Sequence, residues 1–331
     1  MAQLLQLTKQ GLYCRQGDFY IDASGKVSRN IVTHAHSDHA RPGHRHYLSH
    51  EHTAPLLKAR LGKNISVKTM PYGTGLYING VQITLFPNGH IFGSAQVKLE
   101  YKGEIWVVSG DYKLEDDGVA QVFEPVTCHT FITESTFGLP VYHWPDQNQE
   151  YTRINNWWRN NREEGIACVL TCYSLGKAQR ILKNINAGIG TIYVHKSIAE
   201  MNEAIASKGM DFPEYRLLNE GIKPEELSGN LVLAPPSFYP GAMWRASGSF
   251  SVAIASGWAL TGRNLGKPVA AHGFILSDHA DWEGLNWAIK ATESEQIIAM
   301  HGYTAELTRW LKSTGKQALE IDSLKHQSME L

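Results

Sequence analysis

The stretch Arg29-Asn30-Ile31-Val32-Thr33-His34-Ala35-His36-Ser37-Asp38-His39 decides the reading of this chain. A short apolar run ends on four potential metal ligands spaced His-x-His-x-Asp-His. Such a strand delivers its terminal side chains to one sheet edge. Imidazole and carboxylate both suit Zn²⁺ or Mn²⁺, and histidines two apart can share one ion while the Asp-His pair turns toward a second. Two ions at such a site clamp both oxygens of a displacement and supply a nucleophile near neutral pH. A solvated, histidine-rich turn is the bland alternative, and four ligands at this spacing argue against it. The stretch reads as the site of a dinuclear metal hydrolase.

Further candidates follow at other strand ends. Phe19-Tyr20-Ile21-Asp22 ends on a carboxylate that could hold a ligand imidazole by its second nitrogen. Phe86-Pro87-Asn88-Gly89-His90 and Val108-Ser109-Gly110-Asp111 place His90 and Asp111 after glycine turns, and a carboxylate such as Asp111 can bridge two ions. His44, His46, His50 and His52 follow no ligand spacing and read as surface or supporting residues. Near the other end, Phe274 to Asp281 runs as a strand into Ser277-Asp278-His279, and Gln296 to Met300 ends in His301-Gly302.

The 331 residues are 43% hydrophobic, enough for one large domain or two ordinary ones. A formal net charge of -1 excludes a bulk basic coat protein but not a nuclease, whose ions supply positive charge locally. Four scattered cysteines imply no disulfide framework. The first residues lack the basic start and apolar run of a signal peptide, and no run reaches membrane length, so the expectation is a soluble, cytoplasmic chain without a membrane partner.

Up to about residue 140 the chain is rich in strands, with Asn79-Gly80 and Lys102-Gly103 as hairpin turns and one helix over 52–62 capped by Thr53. Beyond it helices and strands alternate, which predicts a parallel sheet with helices on its faces. Ser197 and Glu200 read as a capping box for a helix from 197 to 208. The expected class is α/β, in segments 1–140, 141–270 and 271–331.

Taken together, Asp22, the motif at 34–39, His90 and Asp111 resemble, in order, the first four motifs of the metallo-β-lactamase superfamily. The resemblance extends to its nucleic-acid-processing β-CASP branch: Glu134 in Phe131 to Gly138 is similar to that branch's acidic motif, and His279 and His301 to its next two. Leu175-Gly176-Lys177-Ala178-Gln179 resembles a segment of the inserted β-CASP domain. Within the branch, the chain is most similar to the bacterial ligase-associated DNA exonucleases. The resemblance implies an αββα metallo-β-lactamase sandwich from 1–140 and 271–331, with a largely parallel β-CASP cap at 141–270.

It also implies two divalent ions, Zn²⁺ first and Mn²⁺ as the alternative. His34, His36 and His90 would take one, Asp38, His39 and His301 the other, and Asp111 would bridge. A bridging hydroxide would attack a phosphodiester, with His279, oriented by Glu134, assisting the leaving oxygen; Asp22 and Asp38 complete the catalytic set. Lys113, Lys177, Arg180 and Arg263 would track substrate phosphates. Gly176 and the Ser256-Gly257-Trp258 turn offer backbone N–H groups for a terminal phosphate. The implied function is a DNA exonuclease acting 5′ to 3′ on single-stranded ends in repair, associated with a DNA ligase or helicase.

One departure stands out. Polyadenylation-type and ribonuclease J members carry a small residue where this chain has Asp278. Crosslink-repair DNA nucleases carry an acid there but tend to lack the histidine found here as His301. An RNA-processing exo- or endoribonuclease is therefore the main alternative. A small-ester hydrolase would lack the 141–270 insertion, and a non-catalytic subunit would lack ligands that this chain keeps.

Overall fold

The computed structural model describes residues 3–219, 221–238, 250–262 and 272–325. Its chain divides into two compact units, the first comprising Met1–Asp116, Ala120–His143 and His279–Leu331, the second Asp117–Val119 and Trp144–Asp278.

The first unit opens with β1 (Gln6–Thr8), β2 (Gly11–Cys14), β3 (Phe19–Ile21), β4 (Arg29–Ile31), β5 (His46–His50), helix α1 (Thr53–Leu61) and β6 (Val67–Met70). These six strands form one sheet in sequence order, antiparallel up to β3 and parallel beyond it. Next come β7 (Gly75–Ile78), β8 (Val81–Pro87), β9 (Ala95–Tyr101), β10 (Glu104–Val108) and β11 (Thr130–Glu134). The two predicted hairpins are present. Asn79 and Gly80 (φ 49° and 83°) join β7 to β8, and Lys102 and Gly103 (φ 51° and 83°) join β9 to β10. Positive φ at both central residues matches the strand twist, as in type I′ turns.

The second unit holds α2 (Gln147–Glu163), β12 (Ala167–Thr171), α3 (Lys177–Asn184), β13 (Ile192–Val194), α4 (Lys196–Ala206), β14 (Arg216–Leu217), β15 (Leu231–Ala234), β16 (Phe250–Ala255) and β17 (His272–Phe274). Its sheet, β14-β13-β15-β12-β16-β17, is parallel at every pairing. The core includes Ile154, Trp157 and Trp158 of α2 and Ala178, Ile181 and Leu182 of α3. Trp158 is fully buried and its Nε1–H donates to Gly229 O at 3.2 Å. Trp158→Ala removes the ring and leaves that carbonyl only its longer bond from Arg162 Nη1 at 3.4 Å, and should cost this unit about 3–5 kcal/mol. Urea unfolding followed by circular dichroism measures it; a cost under about 1 kcal/mol would mean the ring is not packed as described.

The chain then returns to the first unit with α5 (Trp282–Ala291), β18 (Gln296–Met300), α6 (Thr304–Ser313) and β19 (Gln317–Glu320). β18 pairs in parallel with β11 and β19, completing a seven-stranded sheet ordered β19-β18-β11-β10-β9-β8-β7. One apolar cluster joins the two sheets of this unit, with Phe19, Ile21 and Ile31 from the first and Ile83, Val97, Val108, Ile132 and Ile298 from the second. On the opposite face of the second sheet, Val107, Phe131 and Ile297 pack with Ile289 of α5 and with Leu307 and Leu311 of α6. No described helix is long and apolar enough to cross a membrane. The four cysteines are buried and free, and burial pushes the Cys128, Cys168 and Cys172 thiols up to about 12.

Local expectations fail where a neighbour outside the motif supplies the bond. α1 is preceded by His52 as its cap, and Thr53 lies inside the helix with its hydroxyl donating to Gly93 O at 2.5 Å. α4 is capped by His195, whose side chain accepts from Ser197 N, so Ser197 and Glu200 form no capping box. Residues 275–281 are not a strand: β17 stops at Phe274.

Candidate metal centre

Strands β8, β10, β11 and β18 run in one direction within a single sheet, so their C-terminal ends lie along one edge, the edge where open α/β sheets place ligands. His90 follows β8, Asp111 follows β10, Glu134 ends β11 and His301 follows β18. The loop after β4 brings His34, His36 and His39 to the same place. His301 adopts a left-handed backbone (φ 56°) between Met300 and Gly302, which turns its side chain out of the strand register.

Three sets of ligand atoms, each within 4.8 Å of one another, result: His34, His36, His90 and Asp111; His39, Asp111 and His301; Asp111, Glu134 and His279. Asp111 belongs to all three. Its Oδ2 lies 3.5 Å from His34 Nε2, 3.4 Å from His39 Nε2 and 3.7 Å from His90 Nε2. Ligand atoms at about 2.0–2.1 Å from a tetrahedral ion stand about 3.3 Å apart, close to these separations. His34 Nε2 is buried with no hydrogen-bond partner, and a buried polar atom left so is costly unless something binds it. The donor set and this orphaned nitrogen fit a divalent ion.

Electrostatics differ from ligand to ligand in the metal-free chain. Burial lowers the His34 pKa well below the usual imidazole value, and its histidine neighbours His39 and His90 push it further, so the ring stays neutral and able to bind a metal. For His39 burial works against the charged form, but Asp111 and Asp22 together outweigh it and hold its pKa well above the usual value. Burial would raise the Asp111 carboxyl; His39, His279 and His34 overcome it and hold it well below the carboxylate range.

Asp22 holds an imidazole, and that imidazole is His39: Asp22 Oδ2 lies 2.7 Å from His39 Nδ1. The same carboxylate accepts Thr33 N–H at 2.8 Å and Thr33 Oγ1–H at 2.5 Å, while Thr33 Oγ1 is 3.0 Å from His34 Nδ1. Glu134 is fully buried, lies 2.8 Å from His279 Nδ1 and accepts Tyr112 N–H at 2.6 Å. The Phe137 ring meets His279 edge-on at 5.9 Å.

Asp38 stands apart. Its side chain is 66% exposed, and although its Oδ2 is 3.8 Å from His39 Nε2, it belongs to none of the three ligand sets. Of the outlying histidines, His50 is buried and stacked on Tyr72 at 3.6 Å, and His52 is stacked on Phe92.

The expected phosphate track needs correcting. Lys113, Lys177 and Arg180 are each at most 3% exposed and carry carboxylate partners: the exposed Glu115 for Lys113, the buried Asp278 for Lys177, and the buried Asp117 and Asp278 for Arg180. A buried cation already paired with a carboxylate is not presented to a polyanion. Arg263 lies outside the described residues. The backbone donors expected to hold a terminal phosphate are also engaged, Gly176 N–H with Gln179 Oε1 at 2.7 Å and Trp258 N–H with Ser256 Oγ at 3.2 Å.

Sequence reading missed the residues that hold the site in place. Arg60 of α1 donates to Ala35 O, between His34 and His36, and its charge faces Asp38. Asn88 Nδ2 donates to Ser109 O at 2.9 Å, tying the His90 turn to the Asp111 turn. Thr33 and Asn88 adjoin ligands in sequence, which was the available signal; Arg60 carries none.

No family model matches the chain. It is similar over 94% of its length, at 30% identity, to a protein of Opitutus terrae named "Probable DNA ligase", of which it spans 30%. It is also similar to "Endoribonuclease YSH1" of Yarrowia lipolytica, 31% identical over 118 residues, 35% of this chain and 14% of that one. The chain thus spans a third or less of these relatives. Among solved structures, a protein of unknown function from Enterococcus faecalis V583 superimposes with a TM-score of 0.57 at 12% identity, covering 88% of this chain and 78% of the other, a likeness of fold alone. The six-residue histidine motif, the shared Asp111, the Glu134–His279 pair and these relatives together make the chain a member of the β-CASP nuclease branch of the metallo-β-lactamase superfamily.

Proposed function

We propose that the chain is a dinuclear-metal phosphodiesterase that shortens single-stranded DNA from its 5′ end, with RNA as the competing substrate. The observation that carries the reading is Asp111, shared between two histidine sets beside an imidazole–carboxylate pair that is not needed to complete either set. In this reading the first compact unit forms the αββα sandwich and the second the β-CASP insertion, the expected bounds at 140 and 270 shifting to 143 and 278 because β17 belongs to the second unit's sheet.

His34, His36, His90 and Asp111 would hold one ion, and His39, His301 and Asp111 the second, with Asp38 reaching it from its exposed position. Zn²⁺ suits this nitrogen-rich set best and Mn²⁺ is the alternative. When bound, the ions supply the electrophilic charge and water activation that phosphodiester hydrolysis needs. The chain's own residues do the rest. Asp22 and Thr33 fix the rings of His39 and His34. Glu134 orients His279 through Nδ1, directing the opposite ring edge away from the carboxylate. An imidazolium so held can protonate a leaving alkoxide or steady its charge.

DNA is favoured by the relative named for a DNA ligase, which matches nearly the whole chain; the relative named as an endoribonuclease matches a third of it. The test uses metal-loaded protein on single-stranded DNA and RNA of one sequence, labelled at either end, with Asp38→Ala and His279→Ala alongside. The expected result is stepwise release from the 5′ end of DNA, lost in both variants. Faster cleavage of RNA would transfer the site to RNA processing, and no cleavage of either would overturn the reading.

A further inference from the structure

The four charges of Lys177, Arg180, Asp117 and Asp278 have no part in the metal centre as described. All lie in the second unit, and each residue is at most 6% exposed. Asp278 Oδ2 is 3.0 Å from Lys177 Nζ, and its Oδ1 is 3.0 Å from Arg180 Nη1. Arg180 also donates to Ser277 O and pairs through Nε with Asp117. Asp117 is fastened further by Val119 N–H at 2.9 Å, donated to its Oδ1, and by Asn184 Nδ2, donated to its carbonyl at 3.0 Å. Two acids match two bases, so the cluster is neutral as a whole.

Stability alone is a poor reason for such a cluster. Desolvating four ionic groups is expensive, and well-packed apolar side chains of similar volume often serve equally well. What a buried ionic cluster does well is fix one geometry, because any displacement strands a charge. Here the residues fixed are Ser277, by its carbonyl, and Asp278, by both carboxylate oxygens. The next residue is His279, whose ring is held by Glu134.

We propose that the Lys177–Asp278–Arg180–Asp117 cluster is a positioning device for His279, clamping the backbone that leads into it while Glu134 holds its ring. The proposal rests on the nuclease reading for its kinetic consequences but not for its structural ones. It also accounts for the acid at 278, the position where the sequence departs from the polyadenylation-type pattern. A small residue there could not take a salt bridge from either base. Arg180 serves as the hinge pin: its planar fork spans two carboxylates and a carbonyl, which a lysine cannot do.

The test compares Asp278→Asn, Arg180→Lys and Lys177→Gln with wild type, using thermal unfolding to confirm folding. Histidine-labelled protein gives the His279 ring resonances, assigned by their loss in His279→Ala. The expected result is that Asp278→Asn and Arg180→Lys shift or broaden those resonances and lower kcat about 10–100-fold, with KM changed less than about twofold, since a misplacement near 1 Å has such an effect. Lys177→Gln, which leaves the Arg180 contacts in place, should show the same change in smaller measure. Combining Asp278→Asn with His279→Ala should be no worse than His279→Ala alone, because both act through one ring.

Variants that melt earlier yet keep wild-type His279 resonances and kcat would overturn the proposal and leave the cluster a purely structural one. So would an Arg180→Lys protein identical to wild type, or fully multiplicative effects in the double variant. If wild type cleaves neither DNA nor RNA, the function reading fails, while the resonances still decide the positioning role.

Discussion

Asp111→Asn is expected, on the proposed dinuclear phosphodiesterase reading, to reduce bound metal from two ions per chain to one at most and to lower activity on the order of 1,000-fold or more. The residue is common to every set of ligand atoms at the centre, and its Oδ2 alone faces three imidazole nitrogens within 3.7 Å. Asparagine keeps the shape and removes the charge that balances two cations. Charge stabilisation by a metal is worth several kcal/mol in the transition state, and about 1.4 kcal/mol is tenfold in rate. Metal analysis of the dialysed protein, beside the rate on DNA, checks it. A variant that retains two ions and wild-type turnover would show that Asp111 bridges nothing.

The same substitution has a pH signature in chelator-treated protein. His39 has its pKa raised by Asp111 and Asp22 against the effect of burial, so its stabilisation is complete below the unfolded imidazole value of about 6.5 and fades as pH rises through the raised value. Asp111 has its pKa lowered, so its contribution is present above the unfolded value of about 3.9 and is lost as pH falls through the lowered one. The metal-free wild type should therefore exceed Asp111→Asn in stability most clearly between about pH 4 and 6.5, with the gap narrowing on the alkaline side.

Much of the centre was legible because its ligands sit at strand ends, and apolar strands ending in His or Asp are visible in one dimension. β8, β10 and β18 were each marked by such a run, and the parallel sheet of the second unit by its alternation of strands and helices. Lys177 and Arg180 were misread for a physical reason. A cation near a motif looks the same in sequence whether it faces solvent or a buried carboxylate, and its partners Asp117 and Asp278 lie 63 and 98 positions from Arg180 along the chain. Caps were misread for a similar reason: Thr53 had its hydroxyl drawn to Gly93 O, 40 residues away. Which imidazole Asp22 would hold depended on the turn at Asp22 itself, a non-glycine residue at φ 47°.

Gly89→Ala should be among the most damaging single substitutions in the chain, although it adds one methyl group. Gly89 has φ 76°, where an L-residue is strained by about 1–2 kcal/mol. A Cβ there would also stand 2.0 Å from Lys113 O and 3.3 Å from Phe123 N, both backbone atoms that no rotamer change can move aside. To relieve the contact, the turn carrying His90 must separate from the chain just beyond Asp111. That separation pulls on Asn88, whose carbonyl accepts Lys113 N–H at 3.1 Å and whose side chain donates to Ser109 O. The expected cost exceeds about 4 kcal/mol, the range reserved for named structural faults, and His90 should lose its place beside Asp111. Gly209→Ala is the control: φ is 88°, but nothing lies within 4 Å of the added carbon, so only the backbone strain is felt. Unfolding free energies of the two variants separate the terms. Equal costs at the two positions would mean that the His90 and Asp111 turns are not packed against each other, and the metal centre would then have to be held together by its ions rather than by the fold.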